Sequence, residues 1–178
     1  MNLGGIFCFL ALIAFLGNLL FLARYKGMPW NVVADIFLFV VISAIVGSRL
    51  YAVIFQPDVF LSHPLKVINP FAGGFVYFGG FIGATIGLFL ISHLKAISIF
   101  FLSDTLLTAW PFSHAIGHIG CWVTGGCHVL LCDGPLAIWS CDAMQYPVQP
   151  AMILYNFVLY GVCLSQYFSR VTKWRPKQ

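Results

Sequence analysis

The chain has 178 residues, of which 61% are hydrophobic and only 8% charged, and its formal net charge is +4 at pH 7. Soluble domains carry about 25% charged residues, so these charges are too few to cover a surface in water. The composition excludes an ordinary soluble protein and indicates an integral membrane protein. Much of the positive charge lies in the C-terminal tail, at Arg170, Lys173, Arg175 and Lys177. A short basic run beside a membrane helix is typical of a cytoplasmic anchor and gives no reason to expect nucleic-acid binding.

Five apolar stretches predict an all-α protein with about five transmembrane helices and no soluble domain. A helix needs about 20 residues to cross the hydrocarbon core. The first stretch is uncharged and is followed, not preceded, by Arg24 and Lys26, which favours a retained helix over a cleaved signal peptide. The predicted spans are 3–23, 31–55, 74–94, 97–116 and 147–169, with outer loops at 56–73 and 117–146.

The basic residues outside the spans predict the orientation. The tail residues and those of the two predicted inner turns fall on one side, whereas only Lys66 falls in a loop on the other. Because cytoplasmic loops of membrane proteins are enriched in lysine and arginine, we expect the N-terminus outside and the C-terminus in the cytoplasm.

Charged residues inside or near the spans need partners or a function, since a charge at the bilayer centre costs at least ~2.5 kcal/mol. Arg49 lies toward the outer end of the second span, where it either extends to the headgroups or holds a lipid phosphate. Asp104 lies in the fourth span, and Arg49 is its expected partner if their helices touch. Asp35 is expected to meet an inner basic residue: Arg24, Lys26 or Lys95.

The segment 113–128 contains three of the five histidines and two of the six cysteines. His114 and His118 are four residues apart and share one face if the segment is helical, with Cys121 near that face. A zinc or transition-metal ion could use such ligands, and the metal candidates are His114, His118, Cys121 and His128. The spacing matches no standard zinc signature, and hydrogen-bonded histidines near the membrane interface are the alternative.

The cysteines fall into two groups. Cys8 and Cys163 lie in spans, where small buried hydrophobic residues are expected. The others lie on or near the last outer loop, where an oxidising compartment would permit disulfides, and four cysteines allow three full pairings. We prefer Cys132–Cys141, and a reactive thiol at Cys121 or Cys127 is the alternative.

Glycines repeat every four residues in the third span, at Gly79, Gly83 and Gly87. This spacing places them on one helix face and is typical of membrane helices that pack closely. The pairs at 73–74 and 79–80 are interpreted instead as a bent helix entry beside a site.

Four short motifs occur in an order and spacing that resemble prolipoprotein diacylglyceryl transferases, especially divergent cysteine-containing relatives. They are Gly47-Ser48-Arg49-Leu50-Tyr51, the double-glycine stretch 73–83, the segment from Gly117-His118-Ile119-Gly120-Cys121 to Gly126, and Tyr146-Pro147-Val148-Gln149. The resemblance covers most of 31–160. It implies transfer of a diacylglyceryl group from phosphatidylglycerol to the lipobox cysteine of a preprolipoprotein or to another thiol acceptor. The reaction would need no cofactor and would occur at the periplasmic side of the bacterial inner membrane.

The resemblance also implies which residues form the site. Arg49 and His118 are the expected catalytic, phosphate-facing groups, because charge develops on the departing phosphate. The expected substrate-binding residues are Tyr77, Gly79, Gly80, Gly117, Gly120, Cys121, Gln149 and His114.

The sequence departs from the family pattern at four positions. His118 replaces an arginine, Cys121 an asparagine, Phe78 a histidine and Met152 a glutamate. The periplasmic head domain and two of the usual seven helices are also expected to be missing. A histidine with an ordinary pKa of about 6.5 can donate to a phosphate or act as a base. The departures leave two alternatives open: a non-catalytic lipid-binding or scaffold relative, and a thiol or metal membrane protein.

Overall fold

The computed structural model describes residues 3–55, 57–61, 76–125, 138–140 and 143–170. The described part contains six helices and one short antiparallel strand pair. In chain order they are α1 (Leu3–Tyr25), α2 (Trp30–Phe55), α3 (Pro57–Leu61), α4 (Tyr77–Leu94), α5 (Ile99–Thr124), β1 (Ile138–Ser140), β2 (Ala143–Gln145) and α6 (Val148–Ser169).

Four of these helices, α1, α2, α4 and α6, are long and apolar enough to cross a membrane. Helix α5 has 26 residues and is long enough, but it carries more polar side chains than the other four, including Asp104, His114 and His118. The prediction of an α-helical membrane protein is confirmed. The short strands pair Ile138 with Gln145 and Ser140 with Ala143, within the segment that the sequence predicted to be an outer loop.

The end of α5 is the largest difference from the sequence prediction. The helix was expected to stop at 116 and instead continues to Thr124, so the assignment of residues 117–124 to a loop was wrong. Glycine suits position 120 of this helix because any larger residue there would collide with Phe7 of α1. The chain turns only at Gly125, whose φ of +63° suits glycine. The glycine pair at 73–74 lies outside the described residues.

The chain forms two compact units. We call the described residues of 3–27 and 104–170 the histidine unit, which contains α1, α5 from Asp104 onward, the strand pair and α6. We call the described residues of 28–103 the glycine unit, which contains α2, α3, α4 and the first turn of α5.

Helices α2 and α4 of the glycine unit pack with their backbones in close approach. A Cβ atom on Gly47 would lie 2.5 Å from the carbonyl oxygen of Gly79 and 2.6 Å from the Cα of Gly83. The Ser48 hydroxyl donates to the carbonyl of Val76 at 2.9 Å, just before α4 begins. Gly79, Gly83 and Gly87 are all buried, which confirms the predicted packing at Gly83 and Gly87. Gly79 and Gly80 lie within α4 and Gly79 packs against α2, so the interpretation of this pair as a bent helix entry was wrong.

Side-chain hydrogen bonds connect the helices of the histidine unit. Asn18 of α1 donates to the carbonyl of Ala109 in α5 at 3.4 Å and accepts from the Tyr160 hydroxyl of α6 at 2.9 Å. Tyr167 of α6 donates to the carbonyl of Leu22 in α1 at 2.8 Å. The side chains of Asn18, Tyr160 and Tyr167 therefore link helices of this unit.

The structure identifies partners for two of the charged residues. Lys95 binds Asp35, one of the predicted pairs. Asp104 does not have the expected partner, because its carboxylate binds the Lys26 ammonium group at 2.7 Å. The Lys26 side chain is 0% exposed and its ammonium lies 4.7 Å from the centre of the Tyr167 ring. Lys26 immediately follows α1 and is buried inside the histidine unit, whereas the sequence predicted it as a possible partner of Asp35.

Candidate functional site

The strongest polar contact between α5 and α6 joins two residues that the sequence analysis selected. His118 Nδ1 lies 2.7 Å from Oε1 of Gln149, the second residue of α6. An amide oxygen can only accept, so Nδ1 of His118 carries the hydrogen in this arrangement. The Nε2 atom of the neutral ring is then left with its lone pair.

A second contact of the same kind lies one turn earlier on α5. His114 Nδ1 lies 3.2 Å from Oδ1 of Asn156, and the Asn156 amide nitrogen donates to the carbonyl of Met152 at 2.7 Å. That donation fixes the orientation of the amide, so Oδ1 faces the imidazole and His114 is also protonated on Nδ1. Asn156 was not among the residues predicted from the sequence, although it is a polar residue in an apolar helix, seven residues after Gln149 and therefore on the same face.

Three aromatic side chains lie one after another along this face of α5. The ring centroids of Trp110 and His114 are 5.7 Å apart and those of His114 and His118 are 4.6 Å apart, both in edge-to-face geometry. The spacing of four residues brings these rings together because such residues are neighbours on a helix surface. His114 therefore lies between Trp110 and His118.

This arrangement allows His118 to act as an acid or a base. With Nδ1–H held by Gln149, Nε2 can accept a proton from an incoming group. Once protonated, the ring becomes a cation whose Nε2–H can donate to an anionic oxygen. Both actions suit a site that deprotonates a nucleophile and stabilises a leaving anion.

The end of α5 contains three further predicted residues. Gly120 packs against Phe7, whereas a side chain on Gly117 would meet open space. Cys121 is disulfide-bonded, with a partner outside the described residues, so the alternative of a reactive thiol at Cys121 is wrong. Cys127 and the preferred pair Cys132–Cys141 also lie outside the described residues.

The glycine unit contains Arg49 and the remaining predicted residues. Arg49 is 8% exposed, and its guanidinium lies 5.4 Å from the centre of the Phe60 ring in α3, within cation–π range. It is therefore buried and does not extend freely to headgroups. Gly79 lies in the contact between α2 and α4, a Cβ atom on Gly80 would make only ordinary van der Waals contacts, and Tyr77 at the start of α4 is exposed.

The metal candidates do not form a cluster in the part of the chain that the structure describes. Within it, no three histidine, cysteine or acidic residues are arranged to hold a metal ion. His114 and His118 are committed through Nδ1 to amide oxygens, and His128 lies outside the described residues.

The other family positions are occupied by side chains without acid–base chemistry. Phe78 is 66% exposed on α4. Met152 lies one turn before Asn156 and takes part through its backbone carbonyl alone. His118 is therefore the one of the four substituted positions where an ionisable group remains.

Fold and site together define an α-helical membrane protein in which two histidines of α5 are hydrogen-bonded to amide side chains of α6. The family model described as prolipoprotein diacylglyceryl transferase matches residues 3–178. The chain therefore belongs to the prolipoprotein diacylglyceryl transferase family.

Several curated relatives carry the name phosphatidylglycerol–prolipoprotein diacylglyceryl transferase. The protein from Aeromonas hydrophila is 30% identical over 143 residues, which cover 80% of this chain and 52% of the relative. The Aeromonas salmonicida protein is 30% identical over 140 residues, covering 78% and 50%. The Cupriavidus necator protein is 29% identical over 141 residues, covering 78% and 52%. The chain thus spans about half the length of these relatives.

Proposed function

We propose that this protein transfers a diacylglyceryl group from phosphatidylglycerol to the lipobox cysteine of a prolipoprotein. The observation that carries the proposal is the 2.7 Å contact between His118 and Gln149. It holds Nδ1 of His118 against an acceptor and leaves Nε2 without a hydrogen bond among the described residues, at the position where the resemblance expects a catalytic cation.

The reaction forms one bond and breaks one. The cysteine sulfur attacks the glycerol carbon that carries the phosphate, so that a carbon–sulfur bond forms as the carbon–oxygen bond breaks. The electron pair of the broken bond leaves on the phosphate, which departs as glycerol phosphate. The thiol proton passes to Nε2 of His118, because thiolate is the better nucleophile.

The leaving phosphate requires positive charge. Protonated His118 supplies some of it, and from the family resemblance alone we assign Arg49 as the permanent cation. Arginine presents a planar set of donors that matches phosphate oxygens. The Phe60 ring contacts the guanidinium and restricts its position.

We place the protein in the bacterial inner membrane with several spans and with its site at the periplasmic side. The distribution of basic residues supports this orientation. The disulfide at Cys121, one turn after His118, also fits an oxidising compartment.

A non-catalytic lipid-binding relative is the second candidate. It is favoured by Phe78 and Met152, where the family pattern has a histidine and a glutamate. Such a protein would retain phosphatidylglycerol through Arg49 without turning it over.

A transfer assay in nanodiscs separates the two candidates. Labelled phosphatidylglycerol and a lipobox peptide with one free cysteine would be incubated with wild type, His118→Ala, Arg49→Gln and His93→Ala. His93 is an exposed histidine of α4 and provides the matched control. Loss of a general base lowers a rate by about 10²-fold or more, so we expect that loss in His118→Ala and wild-type turnover in His93→Ala.

Two results would reject the transferase. One is unlabelled peptide with wild-type protein that nevertheless retains the lipid, which would favour the lipid-binding candidate. The other is equal turnover in wild type, His118→Ala and Arg49→Gln, which would remove both assigned residues from the reaction.

A further inference from the structure

The hydrogen bond to Gln149 restrains only one side of the His118 ring. It fixes Nδ1 but permits the ring to tilt about that contact, and a base must point its other nitrogen at the proton it accepts. The second restraint visible on His118 is the His114 ring, whose centroid lies 4.6 Å away at an interplanar angle of 77°. The position of His114 therefore matters for the direction of Nε2 on His118.

His114 is itself held by groups on both α5 and α6. Asn156 accepts from Nδ1 at 3.2 Å, and Asn156 is only 2% exposed, with its amide nitrogen bound to Met152. Trp110 contacts the ring at a centroid distance of 5.7 Å. A buried amide with both ends occupied has little freedom, so the orientation of His114 follows from that of Asn156.

We propose that His114 and Asn156 form a positioning pair that fixes the ring of His118 for proton transfer. The inference rests on the transferase function proposed above and gives each of the three residues a separate role. His118 receives the proton, and His114 acts only through its ring contact with His118. Asn156 acts one step further away, through its hydrogen bond to His114.

Three variants separate the ring contact from the hydrogen bond. His114→Gln keeps a donor for Asn156 but removes the ring. His114→Phe keeps a ring but loses the donor, and Asn156→Leu removes the acceptor. Misplaced catalytic groups cost up to about 10²-fold, so we expect kcat to fall about tenfold in His114→Gln and about threefold in each of the other two.

The pattern of kinetic constants distinguishes positioning from stability. Because neither residue contacts lipid in this proposal, KM for phosphatidylglycerol should change less than about twofold, with kcat expressed per folded protein. The double variant His114→Phe with Asn156→Leu should match its single variants, since both remove the same hydrogen bond. Wild-type kcat in His114→Gln would overturn the proposal, as would additive losses in the double variant.

A second measurement needs no turnover. Nitrogen-15 NMR of labelled histidine in nanodiscs would report the tautomer of each ring, with the His118 signal assigned by its loss in His118→Ala. We expect the Nδ1–H tautomer for His118 in both proteins, because Gln149 remains its acceptor, and a shifted and broadened Nε2 signal in His114→Gln, because the ring is no longer held against His114. An unchanged His118 signal in that variant would refute the positioning pair. If wild type had no transfer activity but the His118 signal still changed in His114→Gln, the transferase function would be refuted, whereas the effect of His114 on the His118 ring would be confirmed.

Discussion

The two units of this protein join their helices in different ways. In the glycine unit, α2 and α4 meet at glycines, and the backbone of Gly83 lies directly against Ser43 and Gly47. In the histidine unit, side chains such as Asn18 and Asn156 bridge helices through hydrogen bonds. Close backbone packing leaves room mainly for small side chains on the contact face of the first unit, such as those of Ser43 and Ser48. The second unit keeps polar side chains between its helices and can position reactive groups.

Burial explains why the amide side chains of Asn18, Gln149 and Asn156 in the histidine unit are paired. An amide away from water costs free energy unless its donors and acceptors are satisfied. Asn18 and Asn156 each bond to two groups, and Gln149 accepts from His118. The pairing that stabilises the helices therefore also fixes the histidine tautomers.

The largest effect is expected in the glycine unit, from Gly83→Ala. The new methyl group would collide with the Ser43 carbonyl oxygen and the Gly47 Cα, both backbone atoms that cannot rotate away. Overpacking of this kind costs about 3 kcal/mol, measurable as a lower free energy of unfolding in a detergent titration. Gly161→Ala is the control, because a side chain there meets open space. Equal stability of the two variants would contradict the close packing of α2 and α4.

The ion pair of the histidine unit should respond asymmetrically to loss of either partner. Asp104→Asn leaves Lys26 charged and completely buried, whereas Lys26→Met leaves Asp104, which is 53% exposed and can be hydrated. We expect a loss of about 2 kcal/mol in the first variant and about 1 kcal/mol in the second, because a buried charge that loses its counter-ion is the costlier defect. The same unfolding titration measures both, and a larger loss in Lys26→Met would contradict the burial of that lysine.

Gln149→Leu tests the chemistry of the histidine unit with little change in side-chain volume. It removes the acceptor of His118 Nδ1, so the tautomer with Nε2 free is no longer favoured. Loss of one such hydrogen bond is worth about 1.4 kcal/mol, or tenfold in transfer rate. The rate is compared with that of Gln166→Leu, which alters an exposed glutamine at the other end of α6. Equal transfer rates in the two variants would show that Gln149 takes no part in the reaction.

The smallest effect is expected at the exposed ion pair of the glycine unit. The side chains of Lys95 and Asp35 are 37% and 51% exposed, and such surface pairs contribute about 0.5 kcal/mol or less. Lys95→Gln should therefore change the free energy of unfolding by no more than that. A loss as large as that of Asp104→Asn would show that solvent exposure does not set the difference between the two ion pairs.

Much of the architecture could be read from local sequence. Long uncharged stretches predict helices in a membrane because unpaired backbone groups are too costly there. The four-residue glycine spacing predicted the packing face of α4. The end of α5 was predicted wrongly because Gly117 and Gly120 by themselves suggest that the helix stops. The contact that favours glycine at position 120 is made by Phe7 of α1, and the local sequence does not show it.

The candidate site was only partly predictable. His118 and Gln149 were selected from motif resemblance, but their hydrogen bond depends on how α5 and α6 pack. Asn156 was overlooked because a single polar residue in an apolar helix has no visible partner in sequence. The partner of Asp104 was misassigned for the same reason, since the contact with Lys26 joins residues 78 positions apart.

The sequence by itself determined the class of protein, its family and the approximate positions of its helices, because composition and short motifs act within one segment. The tertiary structure decided which polar groups meet: His118 with Gln149, His114 with Asn156 and Lys26 with Asp104. Hydrogen bonds and ion pairs act over about 3 Å, and only the folded chain brings residues so distant in sequence that close.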